Sequence, residues 1–246
     1  MDMNNKTILV TGAGSGIGKA LTLALIDKGA KIVAVDIRPA ELKELEKTIT
    51  KKDVIASYSL DITDKAAVEK LPAKIISKQG SIDGIINCAG IIQPFVKVNN
   101  LEFDAIEKVM HVNFYGTLYM VKAFLPELLK RPEAYIVNVS SMGGFLPVPG
   151  QSVYGASKAA VKLMTEGLYS ELKDTNVHVP VVFPGATATN ITENSEDNSP
   201  KPPKDDQQKQ SYQMLSPKEA AQIIIKGMEK NKLQIFTGSD SKFMNT

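Results

Sequence analysis

The chain has 246 residues, 43% of them hydrophobic and 23% charged, which is enough apolar side chain for one α/β domain with a full core. Its 29 Lys and Arg against 27 Asp and Glu leave a net charge of +2, which argues against the concentrated basic face of a nucleic-acid binder. The single cysteine, Cys88, excludes an intrachain disulfide, and no apolar run approaches the ~20 residues that cross a bilayer. The N-terminus MDMNNKTILVTG runs straight into a strand-like stretch without a charged-then-apolar leader. A soluble cytoplasmic protein in a reducing compartment is predicted, with no membrane or nucleic-acid partner.

Thr7–Val10 is a β-branched apolar run, a buried strand, and it leads into Thr11-Gly12-Ala13-Gly14-Ser15-Gly16-Ile17-Gly18. A helix follows, with apolar positions at Ile17, Leu21, Ala24 and Leu25 and a stop at Gly29. Ile32–Val35 is the second strand and ends at Asp36. This is a right-handed βαβ unit whose glycine turn is a candidate phosphate cradle. Glycine lets the backbone approach a pyrophosphate, and the helix N-terminus offers free N–H groups. Asp36 stands where a carboxylate accepts hydrogen bonds from an adenosine ribose and repels a 2′-phosphate, which favours NAD over NADP. Arg38, two residues on, softens that discrimination.

Glu41–Thr50 reads as a polar helix and Val54–Leu60 as a third strand. Asp61, in Asp61-Ile62-Thr63, either meets the adenine edge or caps the next helix. That helix reaches about Lys78 and contains Pro72, which is expected to kink or divide it. Gly84–Asn87 is a fourth strand running into Cys88-Ala89-Gly90, small residues that suit a closely approaching ligand. Leu101–Arg131 reads as one long helical stretch, and Asn113 inside it needs a hydrogen-bond partner. Ala134–Val139 is the fifth strand, ending at Ser140-Ser141. After a Gly-Pro-rich loop comes Ser152-Val153-Tyr154-Gly155-Ala156-Ser157-Lys158 at the start of a helix.

Tyr154 and Lys158 are four residues apart, so both lie on one helical face with Cβ atoms roughly 5–6 Å apart. A lysine cation beside a phenol favours the phenolate, and a shift of about 2–3 units would suit general acid–base work near neutral pH. Val177–Phe183 reads as a sixth strand closed by Pro184-Gly185. Thr192–Gln210 is polar and Pro-rich, and a mobile lid over the site is predicted across about residues 189–215. Ser216-Pro217-Lys218-Glu219 is a capping box before a helix carrying Ala220, Ile223 and Ile224, and Leu233–Thr237 makes the last strand. The alternation predicts one domain across residues 1–246, a Rossmann-like, doubly wound parallel sheet with helices on both faces. Ligands bind beyond the carboxyl ends of such strands, where these motifs fall. His111 and His178 belong to no metal or nucleophile constellation, so no metal site is predicted.

These residues resemble the short-chain dehydrogenase/reductase family, in its single-domain branch of about 250 residues, over nearly the whole chain. Thr11-Gly-x-x-x-Gly-x-Gly18 is similar to that branch's cofactor turn. Asn87-Cys88-Ala89-Gly90 resembles the family's Asn-Asn-Ala-Gly with cysteine in second place. Tyr154-x-x-x-Lys158 matches its catalytic pair, Ser141 its serine and Asn113 its helix asparagine. Pro184-Gly185-x-x-x-Thr189 resembles the segment that binds the nicotinamide amide, with Thr187 where an aliphatic residue is commoner.

The resemblance implies an oxidoreductase moving a hydride between NAD(H) and a small alcohol or ketone. Tyr154 acts as acid–base, Lys158 lowers its pKa and holds the nicotinamide ribose, Ser141 holds the substrate oxygen, and Asn113 fixes a water. The cofactor contacts implied are Gly12, Ser15, Gly16, Ile17, Gly18, Asp36, Asp61, Ile62, Asn87, Ala89, Gly90, Tyr154, Lys158, Pro184, Gly185, Thr187 and Thr189. Ser15, where NADP-preferring members often carry Arg or Lys, points with Asp36 to NAD and the oxidative direction. A homo-tetramer or dimer is implied as well. The competing readings are an NADPH-dependent reductase of 3-oxoacyl or similar ketones and a nucleotide-binding regulator without turnover.

Overall fold

The computed structural model describes residues 2–51, 54–189, 191–195 and 214–238. Their strands are β1 (Thr7–Thr11), β2 (Lys31–Asp36), β3 (Ile55–Ser59), β4 (Gly84–Asn87), β5 (Ala134–Val139), β6 (Val177–His178), β7 (Val181–Pro184) and β8 (Gln234–Thr237). They form one eight-stranded sheet in the order β3-β2-β1-β4-β5-β7-β8, with β6 beside β5. Every pairing is parallel.

Side chains alternate between the sheet faces, and both faces are covered, which is why the central strands read as continuous apolar runs. On one face Ile8, Val10, Ile32, Ala34 and Val137 meet Leu21 and Leu25 of α1 (Gly16–Asp27) and Leu42 and Leu45 of α2 (Pro39–Thr48). On the other, Leu9, Val33, Val35, Ile85 and Ile136 meet Val68, Leu71 and Ile75 of α3 (Lys65–Gln79). Each such fully buried side chain contributes roughly 1.5–3 kcal/mol. The predicted doubly wound parallel sheet is therefore the fold. Among the described residues no helix is long and apolar enough to cross a membrane.

Three local expectations are corrected. α3 runs through Pro72 as one helix, capped at its start by the Asp64 side chain accepting from the Ala67 N–H. The loss of a backbone donor at Pro72 is offset because the ring is buried with Val68, Leu71 and Ile75.

The stretch 101–131 is α4 (Phe103–Met110), a π-helical turn His111–Gly116, and α5 (Thr117–Leu128). The Thr117 hydroxyl donates to the Asn113 carbonyl at 2.8 Å in that wider turn, and the Asn113 side chain reaches Ile91 and Ser157. A π turn of this kind often marks a functional site.

The expected strand Val177–Phe183 is two strands, because Pro180 has no N–H to place in the ladder. β6 and β7 both pair with β5, on either side of the break. The remaining α-helices among the described residues are α6 (Ser152–Leu172), the one-turn α7 (Ile191–Asn194) and α8 (Pro217–Glu229). The capping box opens α8 as expected, with the Ser216 hydroxyl accepting from the Glu219 N–H at 3.2 Å. Most of the predicted lid lies outside the described residues.

Candidate active site

The turn between β1 and α1 leaves no room for side chains at Gly12, Gly14 and Gly18. Gly12 has φ +66°, and a Cβ on Gly18 would sit 2.1 Å from the Gly12 carbonyl oxygen. Only glycine allows the helix to start this close to the strand, with its first N–H groups open to an anion. Asp36, at the end of β2, is 5% exposed and supports the turn from outside. Its Oδ2 accepts from the Gly14 N–H at 2.9 Å, and its Oδ1 accepts from the Arg38 N–H at 3.0 Å. The Arg38 Nη2 donates to the Ser15 hydroxyl at 2.9 Å, so a guanidinium lies across the mouth of the cradle beside the carboxylate.

The Thr11 hydroxyl accepts from the Cys88 and Ala89 N–H groups at 3.0 and 3.1 Å, fixing the β4 end against β1. Asp61 and Ile62 line the cleft after β3. The Asp61 carboxylate also accepts from the Thr63 N–H and hydroxyl, both at 2.8 Å, while the cap of α3 is Asp64 and not Asp61.

Asn87 does not reach the cleft. Its side chain points across the sheet and donates to Asn138 Oδ1 at 2.8 Å, and Asn138 donates to Thr165 at 3.0 Å. Asn113 also stands behind the cleft wall. It is fully buried, accepts from the Ile91 N–H and donates to the Ile91 carbonyl and the Ser157 hydroxyl, all at 2.9 Å. Neither asparagine side chain forms part of the cleft surface.

The chemistry gathers where β5 meets α6. The Ser140 hydroxyl donates to the Lys158 carbonyl at 2.7 Å and ties α6 to the strand end. Ser141 accepts from the Gly143 N–H at 3.0 Å, and its hydroxyl is near enough to the Tyr154 phenol to act on its pKa. Lys158 is 4% exposed; its Nζ donates to the Val139 carbonyl at 3.0 Å and lies 6.0 Å from the Tyr154 ring centre. Gly90 fits between Lys158 and Asn113, where a Cβ would come within 3.1 Å of both Nζ and Oδ1.

The expected depression of the tyrosine pKa is not what these contacts produce. Burial raises Tyr154 above its ordinary value, and only the Ser141 hydroxyl pulls it down. Burial pushes Lys158 down to about 8, with the neighbouring Cys88 acting to raise it, and burial pushes Cys88 up to about 11. Desolvation outweighs the cation–phenol attraction because the ammonium is itself deep in the protein and away from the ring.

Burying a charged lysine costs stability. The unfolded chain holds this proton up to 10.5 and the native chain only up to about 8. Stability from Lys158 therefore rises with pH across that window. Lys158→Met is expected to be more stable than wild type at pH 7, by at most roughly 3 kcal/mol, with the gap closing as pH climbs towards 10.5. Urea denaturation of both proteins at several pH values checks this, and comparing the pair cancels most of the Cys88 and Tyr154 titrations.

The far wall is the turn after β7. Pro184, Gly185, Thr187 and Thr189 line the cleft, the Gly185 N–H donates to the Thr237 carbonyl at 2.7 Å, and a Cβ on Gly16 would meet the Thr189 methyl at 3.3 Å. One cleft of ≈ 590 Å³ thus runs from Gly12–Gly18 and Asp36 to Ser141, Tyr154 and Lys158. A family model described as short chain dehydrogenase matches residues 6–200.

The chain belongs to the short-chain dehydrogenase family. An uncharacterized oxidoreductase of Staphylococcus aureus (strain MRSA252) is 33% identical over 218 residues, which is 88% of this chain and 94% of that protein. A short chain dehydrogenase/reductase from Burkholderia phymatum, solved in complex with NAD, is 25% identical with a TM-score of 0.87, over 96% of this chain and 90% of the other. A short-chain dehydrogenase from Sphingobium yanoikuyae, in complex with NADPH, is 26% identical with a TM-score of 0.79, over 94% and 87%.

Within this short-chain dehydrogenase the cleft takes Cys88 of the Cys88-Ala89-Gly90 turn and Ile91, and also Lys108 and Val112, which sequence reasoning did not assign to it. Cys88 was adjacent to a motif and was legible by position. Lys108 and Val112 lie on α4 and the π turn, and their approach depends on how that helix packs, for which no local spacing exists. Arg38 was noted, but its bond to Ser15 was not foreseeable.

Proposed function

We propose that this protein is an oxidoreductase that moves a hydride between NAD(H) and a small alcohol or ketone, with Tyr154 as the general acid–base. The observation that carries it is the convergence of the Tyr154 phenol, the Ser141 hydroxyl and buried Lys158 at one end of a cleft whose other end is the glycine cradle. The cradle fits a dinucleotide, because a Cβ on Gly18 would occupy backbone space and Asp36 stands beside it. Gly12, Ser15, Gly16, Ile17 and Gly18 would hold the pyrophosphate, Asp36 the adenosine ribose, Asp61 and Ile62 the adenine side, and Ala89, Gly90, Pro184, Gly185, Thr187 and Thr189 the nicotinamide half. A bound nicotinamide supplies the hydride acceptor or donor.

Ser141 donates to the substrate oxygen and fixes its orientation. Tyr154 takes the hydroxyl proton during oxidation and returns it during reduction. Lys158 holds positive charge behind the phenol and the ribose. Asn113 acts at one remove, by locking Ile91 and Ser157. The family supports a small-molecule substrate, and we extend the same reading to a single domain over residues 1–246, a cytoplasmic location and a homo-dimer or tetramer.

A second reading is an NADPH-dependent ketone reductase. It is favoured by the Arg38 guanidinium at the mouth of the cradle, 2.9 Å from Ser15. Initial rates on a panel of secondary alcohols, with NAD and NADP in separate assays, decide between them. Turnover with NAD well ahead of NADP is expected. Rates led by NADP, or by NADPH with ketones, favour the second reading, and cofactor binding without any turnover overturns both in favour of a regulator.

A further inference from the structure

The catalytic helix begins without a cap of its own. The residue at the capping position of α6 is Gln151, and its side chain makes no bond to the helix N–H groups. The first N–H groups of a helix have no partner inside it and must find one elsewhere. Here they find it about sixty residues back in the chain. The side-chain carbonyl of Gln93 accepts from the Val153 N–H at 2.8 Å and from the Tyr154 N–H at 3.0 Å. The rest of that side chain and its backbone are used against the same segment. The Gln93 amide nitrogen donates to the Gly150 carbonyl at 2.8 Å, and the Gln151 amide donates to the Gln93 backbone carbonyl at 2.8 Å. Gln93 is fully buried and is not part of the cleft wall.

The two residues before it are fixed in turn. Ile91 is held at both N–H and carbonyl by Asn113, and the Ile92 N–H donates to the Ser195 hydroxyl at 3.0 Å. The acceptor is thus mounted on a pinned segment, and the helix turn it holds carries Tyr154. A frayed first turn would move the phenol away from Ser141. A glutamine suits this place because a neutral amide offers an acceptor to the helix and a donor to Gly150 at once.

We propose that Gln93 is a positioning residue, which caps the catalytic helix from another loop and sets the Tyr154 phenol against Ser141. The link to catalysis rests on the proposed dehydrogenase function, whereas the cap itself is measurable without a substrate. Two variants test it. Gln93→Met keeps the length and removes both polar groups; Gln93→Glu keeps an acceptor for the helix and loses the donor to Gly150.

Two readouts need no turnover: amide hydrogen exchange at Val153 and Tyr154, and the titration of ring-labelled Tyr154 followed by NMR, assigned with Tyr154→Phe. In Gln93→Met the two amides are expected to exchange about thirtyfold faster than in wild type, and the Tyr154 titration moves upward as the phenol draws away from the Ser141 hydroxyl. Gln93→Glu is expected to restore most of the amide protection. On any alcohol that wild type oxidises, Gln93→Met lowers kcat about tenfold or more while NAD affinity stays within about twofold. Unchanged amide exchange and an unchanged Tyr154 titration in Gln93→Met overturn the proposal, as does a loss of NAD affinity that matches the loss of kcat. If wild type oxidises no alcohol, the dehydrogenase reading fails, and the amide and phenol signals still decide the cap.

Discussion

Tyr154→Phe is expected to lower kcat for alcohol oxidation about a thousandfold, the usual worth of a positioned proton-transfer group. The ring keeps its place at the start of α6, and only the hydroxyl is lost. NAD affinity should therefore stay within about threefold of wild type, and stability within roughly 1 kcal/mol. Steady-state kcat and calorimetric cofactor binding on the same preparations check both halves. The pH dependence follows in sign. Oxidation needs the phenolate, and burial raises the Tyr154 pKa above its ordinary value of 10.0, so kcat/KM for oxidation climbs with pH through the neutral and mildly alkaline range. Ketone reduction needs the phenol and falls at high pH. A kcat for Tyr154→Phe within tenfold of wild type would remove Tyr154 from the proton-transfer step.

Asp36→Ala carries the second large effect. The carboxylate is buried and holds the Gly14 N–H and the Arg38 N–H at 2.9 and 3.0 Å. Hydrogen bonds to a charged group are worth about 1.5–3 kcal/mol each, and a ribose partner would add to that number. NAD affinity is expected to fall between about tenfold and a thousandfold. NADP affinity should fall less or rise, because the charge that repels a 2′-phosphate is gone and Arg38 beside Ser15 remains. Separate titrations of NAD and NADP against wild type and variant read the change directly. An unaltered preference would mean that Asp36 only braces the turn.

Much of the fold was legible because it rests on local spacing. Thr7–Val10, Ile32–Val35 and Gly84–Asn87 are short apolar runs bounded by turns, and both faces of a parallel sheet demand that pattern. Tyr154 and Lys158 share a helical face by arithmetic, and Gly12–Gly18 lies between a strand and a helix. What was not legible depends on distant partners. Asn87 sits in a motif of small residues at a strand end, yet the pleat turns its side chain to Asn138, fifty-one positions away. Gln93 follows no motif, and its value comes from a helix start sixty positions on. Spacing gives the nearness of a charge to the Tyr154 phenol but not the depth of burial, and here burial dominates. The break at Pro180 follows from a missing donor that the sequence itself shows.

The most direct test of the account is the fate of a labelled hydride. Wild type is mixed with NAD and a secondary alcohol deuterated at the carbinol carbon, and the reduced cofactor is examined by NMR. The account predicts NADH carrying the deuterium on the nicotinamide ring, and no labelled NADH above background from Tyr154→Phe on the same timescale. NADH without deuterium, or no NADH from any alcohol although NAD binds, would contradict it.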